Sequence, residues 1–364
     1  MIVCCCLHAA GMAVTTYDKA VKLMRWYDTH DILCSKLCVR TPESGLRGVF
    51  AEEDIAMYEG IAVIPPHMII QSPFKDMEEI VQANTLNEFA NDCRQYGCDL
   101  SDLLQERGQY LDQPTKERLI AAIRGIPGII ARKCPLAIRL LELLHTQPEI
   151  WMPYKELCLP DRVPTAITMT SDELRDLLSQ VPISAADLAR EEHGQRYTRE
   201  VFAECFEVLT QLLPLVLPTV DDVDPAEITW AFTIVQTRSR LTDQDNLRGF
   251  GPGHLVPLFD MMNHAVGDTC SFVLRPQIAL PGMRAHRAVE ADPARLSVVA
   301  GPDGAELLMR GGRPLGRLDD CLIVTAPMGG LRAGEEARFE YHDTRKLGPE
   351  ERLQFLSTYG FYPE

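Results

Sequence analysis

The sequence predicts an α+β fold in which a sheet domain is interrupted by a helical insert. Two observations carry this prediction. Short apolar or β-branched runs separated by Gly and Pro lie towards both ends of the chain, and apolar residues at helical spacing fill its middle. The 364 residues exceed one ordinary domain, and 46% of them are hydrophobic, which is enough to bury a core. We therefore expect residues 15–75 and 226–364 to form the sheet domain and residues 76–225 the insert.

The N-terminal part of the predicted sheet domain begins with a helix over residues 15–30. Thr and Asp stand at its start, and apolar side chains recur every three or four residues along it. Short runs typical of strands in a small antiparallel sheet follow at residues 37–39, 48–51, 56–58 and 60–64.

The insert is predicted from apolar residues at i, i+3 and i+4 steps over residues 86–99, 116–124, 135–145, 171–180 and 199–213. Pro135 is predicted to lie in the first turn of its helix, where a missing N–H is tolerated. After Trp230 the strand pattern returns, with runs at residues 254–258, 271–274, 296–300, 321–325 and 337–341.

The charge and cysteine content exclude several classes of protein. Lys and Arg total 36 against 52 for Asp and Glu, a net charge of −16, which argues against nucleic-acid binding and favours a basic peptide as partner. No apolar run approaches the ~20 residues that span a bilayer, so no transmembrane segment is expected. The 12 cysteines lack C-x-x-C spacing, which predicts no metal site and a reduced intracellular protein, cytoplasmic or nuclear, with a plastid left open.

Two motifs in the C-terminal third resist an ordinary structural interpretation when they are taken together. The first is Asp260-Met-Met-Asn263-His264, which follows an apolar run. The second is Gly334-Glu335 followed by Tyr341 and a terminal Tyr359-Gly360-Phe361. Each alone would be a strand end or a buried turn. In this order, after a glycine-bearing turn at residues 45–48 and a helical insert, they resemble the SET-domain protein methyltransferases of the Rubisco large-subunit methyltransferase and actin-histidine methyltransferase branch.

The resemblance covers residues 18–361 and includes segments at residues 23–26, 45–55, 64–70, 151–154 and 230–240. It implies a SET-type sheet domain with a helical insert and a threaded C-terminal segment. The glycine turn departs from the family, because it reads Gly-Leu-Arg-Gly where the family usually has G-x-G. The family also continues into a helical substrate-binding domain, which we expect to be absent because the chain stops at Glu364.

The resemblance implies S-adenosyl-L-methionine as cofactor and a protein as substrate. Tyr341 would be the catalytic tyrosine at the channel where the methyl group meets its acceptor. The cofactor-binding residues that it implies are Gly45, Leu46, Arg47, Arg238, Arg240, Asp260, Asn263, His264, Tyr359 and Phe361. An alternative for Arg238 and Arg240 is that one of the two is a surface charge on a helix.

The activity implied by the resemblance is protein N-methylation, with lysine as the favoured acceptor. A lysine amine has a reference pKa of ~10.4, and an apolar channel beside a sulfonium cation would lower this pKa. A histidine acceptor, with a reference pKa of ~6.5, needs no deprotonation at neutral pH, and nothing in residues 237–241 separates the two. The alternative from another class is a non-catalytic SET module that binds a protein partner.

Overall fold

The computed structural model describes residues 14–41, 47–72, 128–165, 167–179, 224–239, 253–265, 269–273 and 282–339, together with Arg352 and short stretches between residues 189 and 210. The chain divides into two compact units. The first contains residues 1–69, 153–159 and 257–342, and the second contains residues 70–152, 160–256 and 343–364. The domain boundaries at residues 75 and 225 stay a prediction.

The helices, in chain order, are α1 (Val14–Thr29), α2 (Gly128–Thr146), α3 (Pro148–Cys158), α4 (Ser171–Ser179), α5 (Pro225–Arg238) and α6 (Met283–Ala291). The strands are β1 (Leu37–Arg40), β2 (Gly48–Ala51), β3 (Gly60–Ile64), β4 (Ile70–Gln71), β5 (His254–Leu255), β6 (Ser271–Val273), β7 (Leu296–Ala300), β8 (Glu306–Arg310), β9 (Arg313–Arg317), β10 (Leu322–Thr325) and β11 (Glu336–Ala337).

Three antiparallel sheets are formed by the described residues of the first unit. Strand β2 lies between β1 and β11, β10 lies between β3 and β6, and β7, β8 and β9 form a meander. Because every residue of β3 and β10 is buried, both strands read as continuous apolar runs in the sequence. Helix α6 and the meander share a core that includes Val63, Ala288, Leu308 and Ile323.

Two buried charged side chains link segments of the first unit through hydrogen bonds. Nη2 of the Arg284 guanidinium in α6 donates to the Leu318 carbonyl at 2.8 Å and also to the Cys321 carbonyl, so backbone oxygens are its acceptors. Asp31, which is 6% exposed, accepts from Arg310 of β8 at 2.5 Å and from Arg313 of β9. These bonds hold the chain after α1 against the meander.

The second unit is mainly helical among its described residues. Helix α5 begins after Asp224, whose side chain accepts from the Ala226 N–H at 2.8 Å, with a proline at the first helical position. Helix α4 begins with a capping box, in which the Glu173 N–H donates to Thr170 Oγ1 at 3.2 Å and the Thr170 N–H donates to the Glu173 carboxylate at 2.7 Å. No helix among the described residues is long and apolar enough to cross a membrane.

Several predicted elements are confirmed, including the first helix and the strands at residues 37–39, 48–51, 60–64, 296–300 and 321–325. The predicted strand at residues 56–58 is wrong, because this segment is a turn that exposes its apolar side chains. The position of Pro135 in a first turn is also wrong, because α2 begins at Gly128 and carries Pro135 inside it. The predicted helices at residues 86–99 and 116–124 lie outside the described residues.

Candidate active site

The Asn263 side chain joins two distant parts of the chain in the first unit. Its Nδ2 donates to the carbonyl oxygen of Arg47 at 3.1 Å and to Oε1 of Glu336 at 2.6 Å. Arg47 directly precedes β2 and Glu336 begins β11, so one amide bridges these two strands where they pair. The structure therefore brings together Arg47 and Asn263, which the sequence predicts to share a site, and adds Glu336, which directly follows the Gly-Glu motif.

The backbone at Gly48 lies close to the two side chains that form this bridge. A Cβ added to Gly48 would lie 2.3 Å from Oε1 of Glu336 and 3.0 Å from Nδ2 of Asn263. A side chain here would therefore displace the Glu336 carboxylate from the bridge, and glycine avoids this. The sequence prediction selected Gly45 and Leu46 of the same turn, which lie outside the described residues.

A backbone ladder places the segment after β11 against the Asn-His segment. The Phe339 N–H donates to the Asn263 carbonyl at 2.9 Å, and the Phe339 carbonyl accepts from the Ala265 N–H at 3.1 Å. Phe339 also forms parallel bridges with His264 and Cys270. Its ring packs edge-on against Phe259 with 4.5 Å between the ring centroids. The chain that leads to Tyr341 is therefore fixed up to Phe339.

The Arg47 side chain caps a helix. Its guanidinium donates to the carbonyls of Leu157 and Cys158 at the C-terminal end of α3. The last carbonyls of a helix lack partners within it and carry partial negative charge, which suits a cation. Arg47 therefore links the glycine turn to α3 through its side chain and to Asn263 through its backbone.

Asp260 lies in a buried network below the Asn-His segment. Asp260 and Tyr154 are both fully buried, and the Tyr154 hydroxyl donates to the Asp260 carboxylate. Trp26 stacks on Tyr154 with a ring separation of 5.8 Å, and the hydroxyl of Tyr27 donates to the Met261 sulfur at 3.3 Å. Burial, followed by the charges of Cys158 and Asp260, raises the pKa of Tyr27 well above its usual value. Tyr27 thus remains a protonated donor.

Exposure changes sharply at Asn263. Residues 258–262 are buried, whereas residues 263–265 are partly exposed. Leu258, which precedes this segment and is fully buried, has φ of +73°, a region that residues other than glycine rarely adopt. Strain of this kind persists where the surroundings hold it, and it is frequent near functional sites. Asn263 and His264 are thus partly exposed residues that follow a buried segment, although the Nε2 atom of His264 is itself buried.

The other site residues predicted from the sequence have different positions. Arg238 is the last residue of α5, in the second unit, and is half-buried. Arg240, Tyr341, Tyr359 and Phe361 lie outside the described residues. Among the described residues, no group of three or more His, Cys, Asp or Glu side chains could hold a metal ion.

Sequence reasoning missed Gly48, Glu336 and Tyr154 as site residues. A signal for each was present: Gly48 ends the same glycine turn, Glu336 follows Gly334-Glu335, and Tyr154 closes the Trp151-Met-Pro-Tyr segment. The signals were insufficient because each role depends on a partner more than 70 positions away in the chain.

Replacing Tyr154 by phenylalanine is expected to lower the free energy of unfolding by about 2 kcal/mol, because a buried carboxylate loses a hydrogen-bond donor. Urea unfolding followed by circular dichroism measures the effect. Tyr27→Phe is the matched control, since its hydroxyl donates to a weakly accepting sulfur and its loss should cost much less. Equal losses in the two variants would show that the Asp260 carboxylate does not need this donor.

Comparisons with known proteins identify the fold. No protein-family model and no curated protein matches the chain. A crystal structure of the SET domain of LSMT bound to lysine and AdoHcy is similar, with a TM-score of 0.53, 16% sequence identity and coverage of 97% of this chain and 58% of that chain. The structure of Rubisco LSMT bound to AdoMet is also similar, with a TM-score of 0.50 and 15% sequence identity. That match covers 95% of this chain and 56% of the other.

These similarities show a SET-type fold, as predicted from the sequence. A third structure, the SET domain of LSMT bound to MeLysine and AdoHcy, has a TM-score of 0.50 at 15% identity and covers 95% of this chain and 57% of that chain. The chain thus spans less than three fifths of the length of these proteins, 58% in the first comparison. The threaded C-terminal segment and the limits of the helical insert stay predictions.

Proposed function

We propose that this SET-type chain transfers a methyl group from S-adenosylmethionine to a side-chain nitrogen of a protein, and that the acceptor is a lysine. The observation that carries the proposal is the bridge at Asn263, which joins the glycine turn to the Gly-Glu motif. The structures with a similar fold are described as bound to AdoMet or AdoHcy and to lysine or methyl-lysine, which supports both the cofactor and the acceptor.

The residues present suit this cofactor in their chemistry. S-adenosylmethionine combines a sulfonium and an ammonium cation with a carboxylate and a polar nucleoside. Asn263 and His264 are partly exposed polar residues, and Glu336 adds a negative charge that attracts cations. The Glu336 side chain is 14% exposed and also accepts from Arg338 Nε at 2.8 Å, so its orientation is held. When bound, the cofactor supplies an electrophilic methyl group on a positively charged sulfur.

Each of the remaining predicted residues receives a binding or orienting role in this proposal. Gly45, Leu46 and Arg47 would bring backbone close to the cofactor, and Asp260 would support the Asn-His segment from below. Arg238 and Arg240 would offer guanidinium groups to its carboxylate, which suits the geometry of arginine. Tyr359 and Phe361 would line the pocket that holds the cofactor.

The acceptor must reach the methyl group as a neutral nucleophile. A lysine amine has a reference pKa of ~10.4, and apolar walls beside a cation disfavour its ammonium form. The Tyr341 phenol would hold the amine in line with the methyl group, which converts an encounter into an oriented reaction. The chain itself thus supplies binding, orientation and the exclusion of water.

Replacing Asn263 by alanine is expected to weaken cofactor affinity by about 5- to 150-fold, because the bridge that orients the glycine turn and Glu336 is lost and buried hydrogen bonds are worth about 1–3 kcal/mol. Isothermal titration calorimetry with S-adenosylmethionine measures the affinity. Glu336→Gln is the matched variant: it keeps an oxygen that accepts from Asn263 and removes only the charge. Unchanged affinity in a folded Asn263→Ala protein would rule out this segment as the cofactor site.

The acceptor is identified by incubating the protein with a cell extract and S-adenosylmethionine that carries a deuterated methyl group. Mass spectrometry of the digested extract is expected to find the label on lysine. Label on histidine would replace lysine as the acceptor and leave the reaction class intact. Cofactor binding without any labelled protein would support a non-catalytic module that binds a protein partner.

A further inference from the structure

Two β-turns of the first unit carry apolar side chains at their central positions. In the first turn the Glu59 N–H donates to the Ala56 carbonyl at 3.1 Å, which leaves Met57 and Tyr58 at the centre. In the second turn the Gly330 N–H donates to the Pro327 carbonyl at 3.0 Å, with Met328 and Gly329 at the centre. Central turn positions usually hold Gly, Asn, Asp, Ser or Pro. The turn geometry therefore does not account for these apolar residues.

The two turns are fixed to each other. Ile55 and Leu331 exchange two backbone hydrogen bonds of 2.7 and 3.0 Å, and the Tyr58 N–H points at the Pro327 carbonyl at 3.4 Å. A Cβ on Gly330, which has φ of +74°, would lie 2.6 Å from the Ile55 oxygen. Such close contact makes the pair of turns one rigid surface. Met57, Tyr58 and Met328 on this surface are called the Met-Tyr-Met patch.

The patch is exposed to an unusual degree. Met57 is 57% exposed, Tyr58 44% and Met328 61%, and these are three of the five large hydrophobic residues that are exposed in the described part of the chain. Tyr58 also has φ of +56°, in the left-handed region that favours glycine. Because a large aromatic residue is unfavourable at this backbone conformation, its presence indicates that the Tyr58 side chain has a functional role.

Acidic residues flank the patch along the chain. Residues 52–59 and 326–335 contain Arg332 as their one basic residue, against Glu52, Glu53, Asp54, Glu59 and Glu335. Lys36 pairs with Glu59 and lies 3.4 Å from Glu53, whose side chain is still 61% exposed. The patch is therefore apolar, and the five acidic residues that flank it along the chain are called its acidic rim.

We propose that the Met-Tyr-Met patch docks a basic segment of a partner protein that inserts a large apolar side chain. Methionine adapts its shape to an incoming side chain, and tyrosine offers a broad contact surface. The acidic rim attracts a basic segment, and it repels both a second copy of this chain and an anionic membrane. This docking surface needs no methyl transfer and stands independently of the proposed reaction.

The test uses the full chain labelled with carbon-13 at the methionine methyl groups and three synthetic peptides. The probe peptide contains Lys, Arg and Gly with one central Leu, the second replaces Leu by Gly, and the third replaces every Lys and Arg by Glu. We expect the methyl signals of Met57 and Met328 to shift with the probe, while the signal of Met283, which is 40% exposed elsewhere, stays in place. The two other peptides should bind at least about tenfold more weakly, because the second lacks the apolar side chain and the third lacks the positive charges.

Two variants and a matched control complete the test. Met57→Ser combined with Met328→Ser should weaken binding of the probe by about tenfold or more, and Met283→Ser should leave it unchanged. Glu53→Gln should weaken binding at low salt and lose this effect at high salt, where charges are screened. Equal weakening by Met283→Ser, or no methyl shift at millimolar probe, would overturn the proposal. Methyl shifts that depend on protein concentration alone would replace the basic partner with a second copy of the chain.

Discussion

Replacing Tyr341 by phenylalanine is expected to lower kcat by about 100-fold or more while KM and cofactor affinity change little. The substitution keeps the ring and removes only the hydroxyl. A group that aligns reacting atoms acts mainly in the transition state, so its loss appears in kcat, and small misplacements of these atoms can cost about 100-fold. Tyr341 follows Phe339 by two positions, and Phe339 is hydrogen-bonded to Asn263, which supports this role.

Single-turnover methylation of the acceptor found in the extract measures the effect of Tyr341→Phe. Tyr17→Phe in α1 serves as the control, because it makes the same chemical change in a residue outside the predicted motifs. Calorimetry of both variants with S-adenosylmethionine separates a loss of binding from a loss of rate. A Tyr341→Phe protein that turns over as fast as the unmodified protein would exclude the hydroxyl from the reaction.

Replacing Gly60 by alanine is expected to destabilise the protein by about 3 kcal/mol, because overpacking against a fixed backbone is among the most costly core changes. Gly60 begins β3, and a Cβ there would lie 1.7 Å from the carbonyl oxygen of Arg287 in α6. The Gly60 N–H also donates to the Glu290 carboxylate at 2.9 Å. Since the obstacle is helix backbone, α6 would have to move away from the sheet.

Urea unfolding of Gly60→Ala and of a second glycine variant tests this contact. Gly194 lies in a helical stretch where an added Cβ would meet no atom within 4 Å, so Gly194→Ala should be neutral or slightly stabilising. A similar midpoint of unfolding for both variants would mean that α6 does not pack against β3 as closely as described.

Local sequence patterns were enough to predict those helices and strands in which the order of apolar and polar residues matches the pattern of buried and exposed positions. Helix α1 shows apolar residues at helical spacing, and β3 and β10 are continuous apolar runs because both are wholly buried. The order of the motifs then predicted the SET-type fold. The elements were inferred from neighbouring residues and the fold from the order of motifs along the chain. Neither inference requires knowledge of which strands pair.

The elements missed in the sequence have patterns that conflict with their structure. Helix α3 contains Pro153, which normally interrupts a helix, and β9 contains Pro314, which cannot donate to a ladder. Strand β8 consists of Glu, Leu, Met and Arg, which favour helices. The segment at residues 56–58 shows the opposite error, since its apolar residues indicated a strand but lie exposed on a turn.

The candidate site was predictable in its motifs but not in its contacts. Asn263 and His264 were found because a polar pair follows an apolar run in the order typical of the family. Gly48 and Glu336 become neighbours only when β2 pairs with β11, and this register is set by backbone hydrogen bonds that composition does not reveal. The hydrogen bonds from the Arg47 side chain to the end of α3 also join residues more than 100 positions apart, so composition does not reveal them.

The bridge at Asn263 also has a consequence for how the chain folds. The bond from Asn263 to Arg47 spans 216 residues, and long-range contacts of this kind slow folding because loops must close before the contacts form. At ~5–20 residues per second, a ribosome needs roughly 15–60 s to pass from Arg47 to Glu336. For most of that interval β2 lacks its partner β11 and β3 lacks its partner β10, and strands with an open edge invite aggregation. We therefore expect shielding of the growing chain, by the ribosome or a chaperone, to reduce aggregation until β10 and β11 emerge.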